Sequence, residues 1–132
     1  MRSILPMTSF RGLIMIDIKI WDKKKHDFIN MFITLDTGAS ITTVSTNMLQ
    51  RIGYDTSLGN KKRIITASNI EYVSSVSIDK IKIGKFEINN VEVNAFTFPP
   101  ESFTFGVLGL NVLKMFDINL LFSKRLIEFT KY

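Results

Sequence analysis

Phe32-Ile33-Thr34-Leu35-Asp36-Thr37-Gly38-Ala39-Ser40 is the stretch on which the fold of this 132-residue chain turns. A β-rich apolar run stops directly on a carboxylate and continues in small residues. A strand heading for a core seldom ends on an ionisable group, because burying a charge without partners is costly. Asp-Thr-Gly alone is also an ordinary turn sequence, since Asp bonds its own backbone and Gly accepts unusual dihedrals. The flanking sequence therefore decides. Upstream, Gly12 to Trp21 alternates, with Ile14, Ile16, Ile18 and Ile20 on one face and Met15, Asp17 and Lys19 on the other, the period of a strand. Asp22 to Asp27 is a charged turn, and Phe28 to Leu35 is a second β-rich run, so the two segments form a hairpin that delivers Asp36 at its end.

Downstream, Ser45 or Thr46 caps a short helix through about Ile52, with Met48, Leu49 and Ile52 as its apolar stripe and Gly53 as its stop. Short β-rich runs then recur at Arg63 to Thr66, Glu71 to Ile83 and Lys85 to Phe98, separated by Ser68-Asn69, Gly84 and Pro99-Pro100. Asn111 to Phe116 suits one more short helix. Ile118 to Phe122 and Leu126 to Phe129 suit a last hairpin turning at Ser123-Lys124-Arg125. The expected class is all-β, mostly strand with two short helices.

Length and composition set the bounds. A chain of 132 residues fits one domain, 1–132, and 45% hydrophobic residues with 22% charged are enough for a real core. No repeat or linker-like stretch divides it. There is no Cys, so no disulfide and no thiolate nucleophile or metal ligand is available, and the lone His26 makes no metal site. No cofactor or metal is expected. Met1 to Met7 lacks the apolar run of a signal peptide, and no segment reaches the roughly 18 apolar residues of a membrane span, so the expected location is cytoplasmic, the alternative being that the chain lacks its targeting segments.

A second apolar-apolar-Gly element, Val107-Leu108-Gly109, precedes the second short helix. With both elements in this order the sequence resembles the retropepsin-like aspartic proteases, the single-domain kind, over about residues 32–129. Leu35-Asp36-Thr37-Gly38-Ala39-Ser40 is similar to the family's catalytic loop. Ile65-Thr66-Ala67-Ser68-Asn69 is similar to its flap, whose tip would be Ala67, Ser68, Asn69 and Ile70. Val107-Leu108-Gly109-Leu110-Asn111-Val112-Leu113 is similar to its Gly element and helix, and Phe116-Asp117-Ile118-Asn119 with Leu126-Ile127-Glu128-Phe129 to its closing strands. The resemblance implies a closed acid-protease barrel and an aspartic endopeptidase acting on polypeptide.

That chemistry uses two carboxylates about 3 Å apart, which cannot both ionise and so share one proton, serving as general base and general acid toward a water. Asp17, Asp22, Asp27, Asp55, Asp79 and Asp117 all lack a following Thr/Ser-Gly, so the chain supplies one such carboxylate, Asp36. The partner is expected from a second copy, because a two-fold homodimer places identical side chains opposite one another at its axis. The resemblance implies that the Thr37 hydroxyl bonds across that axis and that Gly38 lets substrate backbone approach.

The sequence departs from the family's common pattern at several positions. Ala39 cannot donate a hydrogen bond to the carboxylate, so activity is expected to extend to mildly acidic or near-neutral pH. Asn69 stands where family members often carry Gly. Ser40 and Leu110 replace an ion pair that retroviral members carry near the dimer interface, so cohesion falls to apolar contacts and paired terminal strands. Residues 1–11 read as an N-terminal extension or an interface strand.

Two other functions compete with catalysis: a non-catalytic dimerisation or peptide-binding module that keeps the fold, and a small basic β-barrel that binds nucleic acid. The charge, 17 Lys and Arg against 12 acids, keeps the latter in view. Lys23-Lys24-Lys25-His26 falls at a hairpin turn, however, where a solvated charge run is the ordinary explanation. Lys61-Lys62-Arg63 has the same explanation. Trp21 and Phe96, Phe98, Phe103 and Phe105 are expected in core or interface, with Phe103-Thr104-Phe105 near substrate pockets. No nucleic-acid partner is expected.

Overall fold

The computed structural model describes residues 1–57, 61–65, 70–102 and 104–132. The alternating isoleucines build its centre. Strand β3 (Leu13–Asp22) pairs antiparallel with β4 (Asp27–Leu35) from Met15↔Thr34 to Asp22↔Asp27. Ile16, Ile18 and Ile20 on β3 and Met31 and Ile33 on β4 are buried in the same core, each such side chain contributing roughly 1.5–3 kcal/mol. Met15 departs from the expected alternation. It is buried although its neighbours in the pattern, Asp17 and Lys19, are exposed, so both faces of β3 are covered at that end. The hairpin turn is held by Asp22, whose Oδ1 accepts the N–H groups of Lys24 (2.8 Å) and Lys25 (3.1 Å).

Two further strands precede this hairpin: β1 (Arg2–Pro6) and β2 (Thr8–Phe10), the latter folding back on β3. After β4 come β5 (Thr43–Ser45) and helix α1 (Thr46–Arg51), capped as expected by Ser45, whose Oγ accepts the Met48 N–H at 3.3 Å. Strand β6 (Lys61–Ile65) pairs with β7 (Ile70–Ile83), which in turn pairs with β8 (Phe86–Phe96). Then follow β9 (Gly106–Leu108), helix α2 (Leu110–Leu113), β10 (Phe116–Leu121), a short 3-10 turn (Phe122–Lys124) and β11 (Leu126–Lys131). The second helix is shorter than the expected Asn111 to Phe116. Phe116 instead opens β10, where it is buried against Phe86 and Phe129 at ring distances of 5.3 and 5.5 Å, so packing overrides local helix preference.

Two sheets result. One has the order β1-β11-β10, so the first strand pairs with the last strand of its own chain. The other has the order β2-β3-β4-β9-β5-β8-β7-β6, with an additional β3–β7 pairing through Lys19↔Lys82 and Ile20↔Ile81 that brings the sheet round to meet itself. The β7–β8 ladder skips one residue on each strand, Asp79 and Asn90. Across this paired irregularity the buried positions change parity, from Val76 and Ile78 to Ile81 and Ile83, and from Val91 and Val93 to Ile88 and Phe86. Asn90 takes a left-handed conformation there (φ 54). The Asp79 N–H freed from the ladder donates to the Tyr54 hydroxyl (3.2 Å), which itself donates to the Trp21 carbonyl (2.9 Å). Among the described residues no helix is long and apolar enough to cross a membrane.

Candidate active site

Strand β4 is buried at Ile33 and Thr34 and runs out at Leu35, which leaves Asp36 half-buried and Thr37 and Gly38 exposed. The sheet fixes where that end lies. β4 and β9 run parallel through Thr34↔Val107 and Leu35↔Leu108, and the Asp36 N–H donates to the Leu108 carbonyl at 3.1 Å. The loop then closes on itself: Asp36 Oδ1 accepts the Gly38 N–H at 2.9 Å, and the Asp36 carbonyl accepts the Ala39 N–H at 3.3 Å. Carboxylate Oδ2 accepts no hydrogen bond from the described residues, and the Thr37 hydroxyl has no partner among them. Among the described residues one oxygen holds the loop in shape while the other is left without a donor.

The second Gly element braces this loop from behind. Leu110 and Asn111 donate their N–H groups to the carbonyls of Ala39 (2.8 Å) and Ser40 (3.1 Å). Gly109 fits where no side chain would, because a Cβ there would lie 2.7 Å from the carbonyl carbon of Ile41 and 2.9 Å from the oxygens of Ala39 and Ile41. Two residues not singled out from the sequence complete the brace. Thr42 is buried; its N–H and its hydroxyl both donate to Asn111 Oδ1 at 2.8 Å, and its Oγ1 accepts the Gly109 N–H at 3.0 Å. Asn111 Nδ2 then donates to the Glu92 carbonyl on β8 at 2.8 Å. Neither carries a local signal: Thr42 sits in the mixed run Ser40-Ile41-Thr42-Thr43-Val44 and Asn111 at a helix start, and their contact spans 69 positions.

Past β5, Ser45, Met48, Arg51, Phe98 and Phe105 line a cavity of about 260 Å³. The Ser45 N–H donates to the Phe105 carbonyl at 2.8 Å, which ties the cavity wall to the strand leaving the loop. Among the described residues no group of three His, Asp or Glu side chains is placed to hold a metal ion.

A family profile described as "gag-polyprotein putative aspartyl protease" matches residues 26–115, a span that includes both the Asp36 loop and the Gly109 element. The chain belongs to the retropepsin-like aspartic protease family. Among solved structures it is similar to a retropepsin-like aspartic protease from Rickettsia conorii, with a TM-score of 0.70 and 20% identity over 98% of this chain and 89% of that one. It is also similar to the retroviral protease-like domain of Ddi1 from Leishmania major, with a TM-score of 0.57 and 10% identity over 91% and 94% of the two chains. A search of curated proteins by sequence found no match.

Within this retropepsin-like fold, Asp36, Thr37, Gly38, Ala39 and Ser40 form one loop, and Val107, Leu108 and Gly109 lie against it. The expected flap falls on the β6–β7 hairpin, whose last described pair is Ile65↔Ile70, with Ile70 exposed. Its expected tip residues Ala67, Ser68 and Asn69 lie outside the described residues, as does Phe103.

Proposed function

We propose that the protein is an aspartic endopeptidase in which Asp36 of two subunits of a homodimer activates a water against the peptide bond. The observation that carries this reading is the free Oδ2 of Asp36, held at a strand end by a backbone that Leu108, Gly38 and Ala39 pin on three sides. One protomer offers half of the required pair. A second copy about a two-fold axis supplies the other half, with the exposed Thr37 hydroxyl free to bond across the junction.

In the paired site one carboxylate is ionised and one protonated. The ionised member takes a proton from the water as its oxygen adds to the scissile carbonyl carbon, and the protonated member donates to the carbonyl oxygen, giving a neutral gem-diol. Collapse of the diol breaks the C–N bond as the protonated carboxyl passes its proton to nitrogen and the ionised one takes a proton from a diol hydroxyl, which releases acid and amine and restores the one-proton pair. No covalent enzyme intermediate forms. The β6–β7 hairpin serves as the flap that covers an extended polypeptide substrate, with an apolar side chain seated in the cavity between Met48, Phe98 and Phe105.

The test is cleavage of a diverse peptide library over several pH values, with and without pepstatin, by the native chain and by Asp36→Asn. Cleavage abolished by the substitution and by the inhibitor, with the dimer intact in sedimentation equilibrium, is the expected result. Unchanged cleavage by Asp36→Asn, or an active species that sediments as a monomer, defeats the assignment.

A further inference from the structure

At the other end of β4 from Asp36 the sheet gathers a charged and aromatic surface that the proposed hydrolysis does not use. Eight residues separate Phe28 from Asp36 along this strand, about 26 Å at roughly 3.3 Å per residue. Trp21 pairs with Phe28, and Lys19 pairs with Lys82 through the β3–β7 contact, so Lys19, Trp21, Phe28, Lys80 and Lys82 share one face. The Trp21 and Phe28 rings meet edge to face at 5.2 Å. The Lys80 ammonium lies 4.4 Å from the Trp21 ring centre and that of Lys82 lies 5.5 Å from the Phe28 ring centre. The adjoining turn adds exposed Lys23, Lys24 and Lys25. None of these ammonium groups pairs with a carboxylate among the described residues, where the ion pair is Arg2 with Glu128.

We propose that this face docks an acidic segment of a polypeptide, remote from Asp36. Lys80 and Lys82 stand two residues apart on one strand, a repeat of about 7 Å. Carboxylates on alternate residues of an extended peptide carry the same repeat, so charge and spacing are complementary together. A nucleic acid fits less well. The aromatic faces are taken up by each other and by lysines, leaving no platform for base stacking, and Asp17 on β3 and Glu87 opposite Lys82 break the positive field a phosphate backbone follows. The exposed Asn30 and Asn89 on this face disfavour burial in a lipid interface. The proposal rests on the proteolytic reading only in its purpose, which is to hold substrate at a second point.

The experiment uses the full chain carrying Asp36→Asn, so that binding is read without cleavage. Trp21 is the one tryptophan in the sequence, and its fluorescence reports on the face itself. Titration with an alternating Glu-Ala dodecapeptide is expected to change that emission, with calorimetry giving the affinity. Lys80→Glu with Lys82→Glu is expected to weaken binding at least about tenfold, as is raising salt from about 0.05 to about 0.5 M. Lys80→Gln with Lys82→Gln, a milder pair, is expected to show an intermediate loss and keeps the test valid should the double reversal not fold. No binding, binding indifferent to both pairs of substitutions, or tighter binding of a single-stranded oligonucleotide or of phosphatidylserine vesicles than of the peptide overturns the proposal. Failure here leaves library cleavage by the native chain untouched, so the docking and the hydrolysis are judged separately.

Discussion

Thr42 Oγ1 lies 2.8 Å from Asn111 Oδ1, joining the segment after the Asp36 loop to the helix after Gly109. The same hydroxyl accepts the Gly109 N–H, and the Asn111 amide reaches on to β8. Thr42→Val keeps the shape and removes the hydroxyl, stranding the Gly109 N–H in a buried place. A stability loss of about 1–3 kcal/mol is expected, measured by urea unfolding. Full stability in that variant would show that the hydroxyl does not brace the loop.

Gly109→Ala tests the close approach beneath the loop. Its Cβ would meet backbone atoms of Ile41 and Ala39 at 2.7–2.9 Å, and backbone cannot rotate aside as a side chain can. The cost expected from forced displacement is about 1–3 kcal/mol. Because the displaced atoms belong to and follow the loop that carries Asp36, the proposed peptide cleavage is expected to fall by more than the loss in folded fraction accounts for. Comparing kcat per folded molecule, from circular dichroism and turnover on one sample, checks this.

Tyr54 makes stability depend on alkaline pH. Burial pushes its hydroxyl up to about 12, from an ordinary value of 10.0. The neutral phenol is therefore favoured by folding. Its contribution is complete below pH 10 and is lost as pH rises from 10 through 12, an amount on the order of 2–3 kcal/mol. Tyr54→Phe is expected to be less stable at pH 7 by about 1–3 kcal/mol, since the Asp79 N–H and Trp21 carbonyl lose their partner. Its stability is also expected to decline less between pH 10 and 12. Chemical denaturation at pH 7, 10 and 12 reads both effects, and equal slopes for the two proteins would exclude Tyr54 as the titrating group.

Ala39 bears on the pH range of activity. The Asp36 carboxylate is bonded by the Gly38 N–H, and Ala39 offers it no hydroxyl. Ala39→Ser supplies a donor that favours the ionised form. Both limbs of the pH–rate profile for the proposed hydrolysis are then expected to move to lower pH. A profile of kcat/KM from pH 3 to 8 that does not move would mean that the added hydroxyl bonds elsewhere.

The isoleucines at 16, 18 and 20 and the abrupt halt at Asp36 made the central hairpin and the site's carboxylate legible, because a period of two and a charge after an apolar run are both local signals. Ser45 as a helix cap was local as well. The paired skip at Asp79 and Asn90 has a local trace as well, two polar residues in a row in each strand, Asp79-Lys80 and Asn89-Asn90, but what shows that the two fall opposite one another is the ladder. Phe116 read as helix because its strand identity comes from Phe86 and Phe129, thirty and thirteen positions away. The Thr42 and Asn111 contact escaped for the same reason. Lys80 and Lys82 gave no hint of company with Trp21 until β7 was laid beside β3.

The pairing of Arg2–Pro6 with Leu126–Lys131 inside a single chain leaves both strands paired without a second copy. A polypeptide that knits its opening and final strands into one ribbon can finish its own architecture before meeting a sibling. On the proposed dimeric reading, dilution is expected to silence hydrolysis while leaving each protomer folded.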